Sequence, residues 1–376
     1  MPERTVLVVN TGSTSVKLGL YASSGSSPLV ERWTADATTD ELGPDRLAGI
    51  ERQLRAAPID PSSLVAVGHR IVHGADRFDG PVIIDSAVET TIRSVADLAP
   101  LHNLAGLDGI SAARRVLDAS VPHVAVFDTT FHRNMPIAAA AYGGPYEWIG
   151  QGLRRYGFHG ISHEWAAHRA AELLGRPLTE LRLVTCHLGG GCSLAAIDGG
   201  RSIDTTMGFT PLDGLMMATR SGSVDPGLLL HLMRTGTSVD ALEELLERHS
   251  GLLGLSGISG DLRVVTAARD AGAERARLAI DVFVHRVAAG VGAMAASLGG
   301  FDALVFTGGI GEHSPDVRAR VSARFAYAGV VLDDVANAAA TGDLDLSPAH
   351  AMVRVLVVTS REDLAIAAIT LQTVHP

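Results

Sequence analysis

LRLVTCHLGGGCSLAAIDGGRSIDTT, residues 181–206, decides the fold class. An apolar strand (Leu181–His187) enters a small-residue loop (Leu188–Cys192) with three successive glycines. A second strand (Ser193–Ile197), an Asp198-Gly199-Gly200 turn and a third strand (Arg201–Thr206) follow. Alternating β-branched residues and an Asp-Gly turn are hairpin signals. Residues 5–34 repeat the layout: strand Thr5–Val9, loop Asn10–Ser15, strand Val16–Tyr21, a Ser/Gly turn, then strand Leu29–Thr34. Two such copies in one chain predict two related α/β domains of ordinary size, facing each other across a central cleft.

The segments around the copies alternate between helix and strand. Ser86–Ala99 reads as a helix entered by Asp85 as N-cap. Val124–Phe127 is a short apolar strand ending in Asp128, and His163–Leu174 is a helix stopped by Gly175-Arg176-Pro177. Val239–His249 and Gly272–Leu298 are helical; Gly299-Gly300 then leads into the strand Ala303–Phe306. Strand Val353–Val358 and helix Glu362–Val374 close the chain. This alternation is the mark of α/β architecture with buried sheets.

Composition narrows the functional classes. With 376 residues, 47% of them hydrophobic, the chain is long enough for two domains. A formal net charge of −10 argues against nucleic acid as a partner. Cys186 and Cys192 suit free thiols in a reducing cytosol. The N-terminus lacks a signal-peptide layout, and no uncharged apolar stretch reaches the ~18 residues of a spanning helix, so a cytoplasmic protein without membrane attachment is expected. Of the 31 lysines and arginines, Lys17 alone is lysine, and it sits beside the first Gly/Ser loop.

Three loops carry phosphate chemistry in their composition. Asn10–Lys17 follows a strand and combines glycine with hydroxyls; it reads either as a phosphate loop or as an ordinary hairpin turn. In His187–Ser193, the three glycines allow a backbone to approach a phosphate chain closely. Thr307–His313 reads as a glycine turn between a buried strand and a helix opened by Ser314-Pro315. Together they indicate a nucleotide cleft. A Walker P-loop and the protein-kinase motifs are absent, and so is a G-x-G-x-x-G dinucleotide fingerprint. His163-Glu164-Trp165-Ala166-Ala167-His168 spaces its histidines five apart, whereas zinc on one helix face needs four. His159 and His163 have that spacing but lack an evident third ligand.

The stretch from Asp204 to Gly222 (DTTMGFTPLDGLMMATRSG), followed by Asp225-Pro226-Gly227, resembles the acetate kinase signature. Asn10–Lys17 matches that family's other signature, and Gly68–Gly74, Phe127–Thr129, Tyr156–His163 and Gly308–Glu312 resemble it in the same order. The resemblance covers essentially the whole chain. It implies two ribonuclease H-like, actin-like ATPase domains: residues 1–131 with 363–376, and a nucleotide-binding domain at 132–362. It further implies reversible transfer of the ATP γ-phosphate to acetate with Mg²⁺ (Mn²⁺ as an alternative), giving acetyl phosphate and ADP, in a homodimer.

Carried over position by position, Arg70, Arg220 and His159 are the implied positive clamp on the moving phosphoryl group. Asp128 is the implied catalytic aspartate, positioning the nucleophile or the metal. Glu362 and Asn10 are the implied magnesium residues. Nucleotide binding maps to Lys17, to His187, Leu188, Gly189, Gly190 and Gly191, to Asp261, Leu262 and Arg263, and to Gly309, Ile310, Gly311, Glu312 and His313. The acyl methyl group is expected against Val72, Leu101, Phe158 and Pro211, beside Arg70. Valine at position 72 points to acetate, with a propionate or butyrate kinase of the same family as the rival. A non-catalytic nucleotide-binding regulator of the same fold is the rival from another class. The chain departs from the family pattern at Gly190, Asp213, Ala218, His313 and Arg361.

Overall fold

The computed structural model describes residues 3–12, 15–24, 27–96 and 100–375, except the side chains of Thr39, Pro100, Leu101 and His102. Ser13 and Thr14 of the first loop, and residues 97–99 at the end of the expected helix Ser86–Ala99, lie outside the described residues. The chain divides into two compact units, Met1–Arg133 with Arg361–Pro376, and Asn134–Ser360.

The first unit holds β1 (Glu3–Thr11), β2 (Ser15–Ser24), β3 (Val30–Thr38), β4 (Leu64–Ile71), β5 (Val82–Ile83) and β6 (His123–Phe127). They form one sheet in the order β3-β2-β1-β4-β6-β5. The hairpin strands pair antiparallel, β1, β4 and β6 pair parallel, and β5 closes the edge antiparallel. Both faces of β1 are buried, which explains its unbroken apolar run Val6–Val9. One face carries a core of Leu7, Val9, Leu18, Ile50, Leu54, Val67 and Ala112, drawn partly from helices Arg46–Ala56 and Pro100–Val116. The other receives helix Glu362–Val374. That helix approaches so closely that a Cβ at Gly68 would lie 2.3 Å from Thr370 Oγ1.

The second unit repeats this plan. β7 (Arg182–Leu188), β8 (Cys192–Asp198), β9 (Arg201–Thr205), β10 (Ala303–Thr307), β11 (Leu344–Asp345) and β12 (Arg354–Val357) are ordered β11-β12-β10-β7-β8-β9. The hairpins are again antiparallel, β7, β10 and β12 are parallel, and β11 is an antiparallel edge. The repeat read from residues 5–34 and 181–206 is therefore a repeat of whole-sheet topology. Helix Glu274–Leu298 lies on this sheet and buries Ile280, Phe283, Val284, Val287 and Val291. By length and hydropathy it could cross a membrane, but 44% of its most apolar window is buried within the fold.

Two local expectations change. Gly308–His313 is a short helix entered directly from β10 and not a glycine turn. Gly308 makes this possible: its φ is +77°, and a Cβ there would lie 2.8 Å from Leu188 O. The helix expected from His163 begins at Gly160, with His159 as N-cap in the left-handed region (φ 56°). Positive φ costs a residue with a Cβ, so sequence pattern alone places the start too late.

Beneath the first sheet, His69 Nε2 and His123 Nδ1 are 2.8 Å apart, with their rings stacked at 5.1 Å. Burial and the Arg114 charge pull His123 down to about 4. Burial, then His123 and Arg114, hold His69 well below the ordinary histidine value. Below pH ~6.5 the unfolded chain takes up protons that the folded pair refuses. Stability is then fully present above pH ~6.5 and is lost as pH falls toward 4, by up to ~1.4 kcal/mol per pH unit for each histidine. Urea unfolding at pH 7, 6 and 5 should show this slope, and His123→Gln should flatten it; an unchanged slope in the variant would contradict the assignment.

Candidate active site

In each unit the polar residues gather where the parallel strands end, the usual ligand position in open α/β sheets. In the first unit these are Asn10 on β1, Arg70 on β4, and Asp128 immediately after β6. The register sets Arg70 beside Val126 and Ile71 beside Phe127, and Asp128 N donates to Ile71 O at 3.0 Å. Arg70 Nε donates to both Asp128 oxygens at 3.1 Å, and Nη2 to Oδ2 at 2.6 Å. Asp128 is 1% exposed, so this bidentate pair is largely removed from water. Glu362 Oε2 lies 3.8 Å from Arg70 Nη1 at the N-terminus of the last helix, where the helix dipole favours a carboxylate. Burial works against the charge on Arg70, but Asp128, Glu362 and Asp363 more than offset it, and its pKa is raised.

Sequence reading missed Asp363. Asn10 Nδ2 donates to Asp363 Oδ1 at 2.9 Å, and Arg70 Nη1 to Asn10 Oδ1 at 3.5 Å. Burial raises the Asp363 pKa; the Asn10 hydrogen bond opposes this and the neighbouring Glu362 charge adds to it. A partly buried carboxylate pair with an amide oxygen alongside is a set of hard oxygen donors. Lys17, paired in register with Asn10, extends toward Asp36 at 3.8 Å and is 51% exposed. Val72 follows β4 and is buried. Its loop is pinned by Asn103, which accepts from His73 N at 3.0 Å and donates to His73 O at 2.9 Å. The Leu101 side chain lies outside the described residues. A lone asparagine inside a helix carries no motif, so nothing in the sequence singled out Asn103.

In the second unit, the loop between β7 and β8 faces a cavity of about 450 Å³. Gly189, Gly190, Asp261, Leu262, Arg263, Gly309, Ile310 and His313 line it, together with Gly260 and Ser314. Of the remaining expected nucleotide residues, Leu188 is fully buried, Gly311 is buried, and Glu312 Oε1 accepts from Ser360 N at 2.9 Å. Asp261 caps the helix Leu262–Asp270. Its side-chain and backbone hydrogen bonds from Arg263 lower its pKa. Cys192, beside the glycines, is pushed up to about 12 by burial, and Cys186 is raised as well, so neither thiol is poised for redox chemistry.

His159, Arg220 and Gly191 meet in this unit. A Cβ on Gly191 would lie 3.2 Å from His159 Nε2 and 3.8 Å from Arg220 Nη1. Arg220 Nη1 donates to Pro211 O at 3.0 Å, and Nε lies 3.5 Å from Glu247, another residue the sequence did not single out. His187 stacks on His159 at 4.3 Å and bonds Ser162 Oγ through Nδ1 at 2.7 Å. Phe158 and Pro211 are buried nearby in sequence. Such a cluster, with a glycine loop and an aimed guanidinium, can hold a phosphate chain and offer charge to it.

Residues 46–368 match the sequence model of the acetokinase family. An acetate kinase of Synechococcus sp. (strain JA-2-3B'a(2-13)) is 48% identical over 392 aligned positions, covering 96% of this chain and 97% of that protein. The crystal structure of Porphyromonas gingivalis acetate kinase superposes with a TM-score of 0.88 at 36% identity, covering 98% of this chain and 99% of the other. A propionate kinase from Francisella tularensis subsp. tularensis SCHU S4 superposes with a TM-score of 0.83 at 34% identity, covering 98% and 99%.

Breaking the Arg70–Asp128 pair tests the geometry independently of any activity. Asp128→Ala leaves a mostly buried guanidinium without its bidentate partner, with Glu362, Asp363 and Asn10 still around it, and should destabilise the protein by about 2–3 kcal/mol. Urea unfolding measures this, and a loss below about 0.5 kcal/mol would mean that the pair is solvated and energetically idle.

Proposed function

This chain belongs to the acetokinase family, and we propose from that premise that it is an acetate kinase working with ATP. The observation that carries the reading is the set of charged residues at the strand ends: Arg70 with Asp128, and Arg220 with His159 against the glycine loop. An acetate oxygen attacks the γ-phosphorus in line as the bond to the β-phosphate oxygen breaks, giving acetyl phosphate and ADP. Acetate is already ionised near pH 7, so no general base is needed. What the protein must supply is placement and positive charge for the moving phosphoryl oxygens. Arg70 and Arg220 suit this because each guanidinium is held rigid, by Asp128 and by Pro211 O respectively. Both Asp128 oxygens are occupied by Arg70, which favours a role in orienting that arginine.

The cavity at Gly189, Gly190, Asp261–Arg263 and Gly309–His313 is the proposed ATP site. Asn10, Glu362 and Asp363 would hold Mg²⁺ or Mn²⁺, and their hard oxygen donors fit such an ion. When bound, the ion would neutralise phosphate charge. Val72 in the first unit, and Phe158 and Pro211 in the second, are buried apolar residues, and valine at position 72 is the feature taken to favour acetate over propionate or butyrate. Cytoplasmic location belongs to the same proposal. So does a homodimer: helix Pro226–Arg234 buries none of its residues, and Leu228 and Leu230 are 47% and 51% exposed, an apolar face that a second copy would cover.

Protein mixed with ATP, Mg²⁺, acetate and hydroxylamine should yield acetyl hydroxamate; no product would sink the proposal. Acids of two to four carbons should rank acetate first, with propionate retained at a loss of ~1–3 kcal/mol in specificity. A higher kcat/KM for butyrate would overturn the Val72 reading. Arg70→Ala and Arg220→Ala should each lower kcat by roughly 10²–10⁵, with incomplete rescue by lysine. Less than about tenfold at both sites would remove them from the clamp. Light scattering should give a dimer that Leu230→Lys converts to monomer; a dimer surviving that change would place the interface elsewhere.

A further inference from the structure

A line of buried hydrogen bonds runs behind His159 that phosphate binding alone does not require. Thr185 Oγ1 bonds His163 Nδ1 at 2.7 Å, His163 Nε2 bonds Ser193 Oγ at 2.8 Å, and Ser193 Oγ bonds His159 Nδ1 at 2.9 Å. Thr185, His163 and Ser193 are each 0% exposed. Thr185 and Ser193 come from neighbouring strands β7 and β8, while His159 and His163 are one turn apart at the start of helix Gly160–Leu174.

Counting protons gives the line a direction. Each hydroxyl has one proton to donate, and a neutral imidazole has one N–H and one lone pair. Among the described residues, His163 Nδ1 is the partner found for the Thr185 hydroxyl. Burying that donor unused would be costly, so Thr185 donates to Nδ1. His163 then carries its proton on Nε2 and donates to Ser193, whose own proton goes to His159 Nδ1. A neutral His159 is left with its proton on Nε2, the ring edge that lies against Gly191 on the side of Arg220 Nη1.

We propose that Thr185, His163 and Ser193 are positioning residues that hold His159 as the Nε2–H tautomer, aiming a donor at the transferred phosphoryl group beside Arg220. Run the other way, the line would leave the Thr185 hydroxyl proton without an acceptor along it and present a lone pair from His159 Nε2 to an anionic oxygen. No net proton moves along it; its work is to select a tautomer. The left-handed backbone at His159 fits this role, because strain is kept where it aims a ring. The catalytic purpose rests on the phosphotransfer reading, whereas the tautomer itself does not.

Nitrogen-15 NMR of histidine-labelled full-length protein reads the tautomer directly, with the His159 signals identified by their loss in His159→Gln. The unmodified protein should show a pyrrole-type Nε2 and a pyridine-type Nδ1 at His159. Thr185→Val touches neither His159 nor substrate, yet should turn His159 into a mixture of tautomers. It should also lower kcat by about tenfold to a hundredfold, with both KM values within about threefold. Ser193→Ala should do the same, and Ser193→Thr should restore both signals and rate. His159 protonated on Nδ1 in the unmodified protein overturns the proposal, as do an unchanged tautomer and kcat in both Thr185→Val and Ser193→Ala. Should Ser193→Ala fail to fold, the unmodified spectrum and Thr185→Val still decide. Absence of acetyl hydroxamate from the unmodified protein would instead reject the phosphotransfer reading and leave the tautomer assignment to its own spectrum.

Discussion

Parallel pairing of three central strands is the constraint on which the chemistry of each unit depends. In the first unit it joins β1, β4 and β6, and in the second β7, β10 and β12. Parallel strands in register end together, so residues from distant parts of the chain arrive at one edge. Arg70 and Asp128 are 58 residues apart in sequence yet form a bidentate ion pair because β4 and β6 are neighbours. Gly308 reaches the backbone of Leu188 for the same reason: β10 lies beside β7. Both units require crossover helices to make this pairing, which explains why the sheets are buried on two faces and their strands are continuously apolar.

The buried charges show how the fold holds polar groups away from water. Arg70 has three carboxylates within electrostatic reach, and its charge is favoured despite burial. Arg220 is less enclosed by anions, held by Glu247 and the carbonyl of Pro211. Both guanidiniums keep further donors for an incoming anion, since each presents five N–H groups. The surrounding polar atoms thus fix orientation without neutralising the groups completely, which is the arrangement that electrostatic stabilisation of a phosphoryl group needs.

Much of this was legible in the sequence through short-range signals. The two hairpins with small-residue loops are local patterns, and each appears in the structure as a three-stranded meander. Asp85 caps its helix as its position suggested, accepting from Val88 N. Expected nucleotide residues from three separate segments line one cavity: two leave the ends of β7 and β10, and the third opens helix Leu262–Asp270. What could not be read depended on through-space partners. Asp363, Asn103 and Glu247 are ordinary residues in helices, and only their distances to Asn10, His73 and Arg220 distinguish them.

The α/β class, the duplicated hairpin, the glycine-rich segments and the family are properties of residues near one another or of a long ordered pattern, and all could be read from the chain alone. That the duplication extends to the full strand order of both sheets emerges from the folded arrangement. It alone turned Thr307–His313 into a helix start, and moved the entry of the helix read from His163 back to His159. A Cβ contact with Leu188 O and a left-handed histidine are settled by packing, which local propensity does not register. The line from Thr185 to His159 belongs to the same class, because a hydrogen-bond direction exists only once strands and helix have placed donors and acceptors within 3 Å of each other.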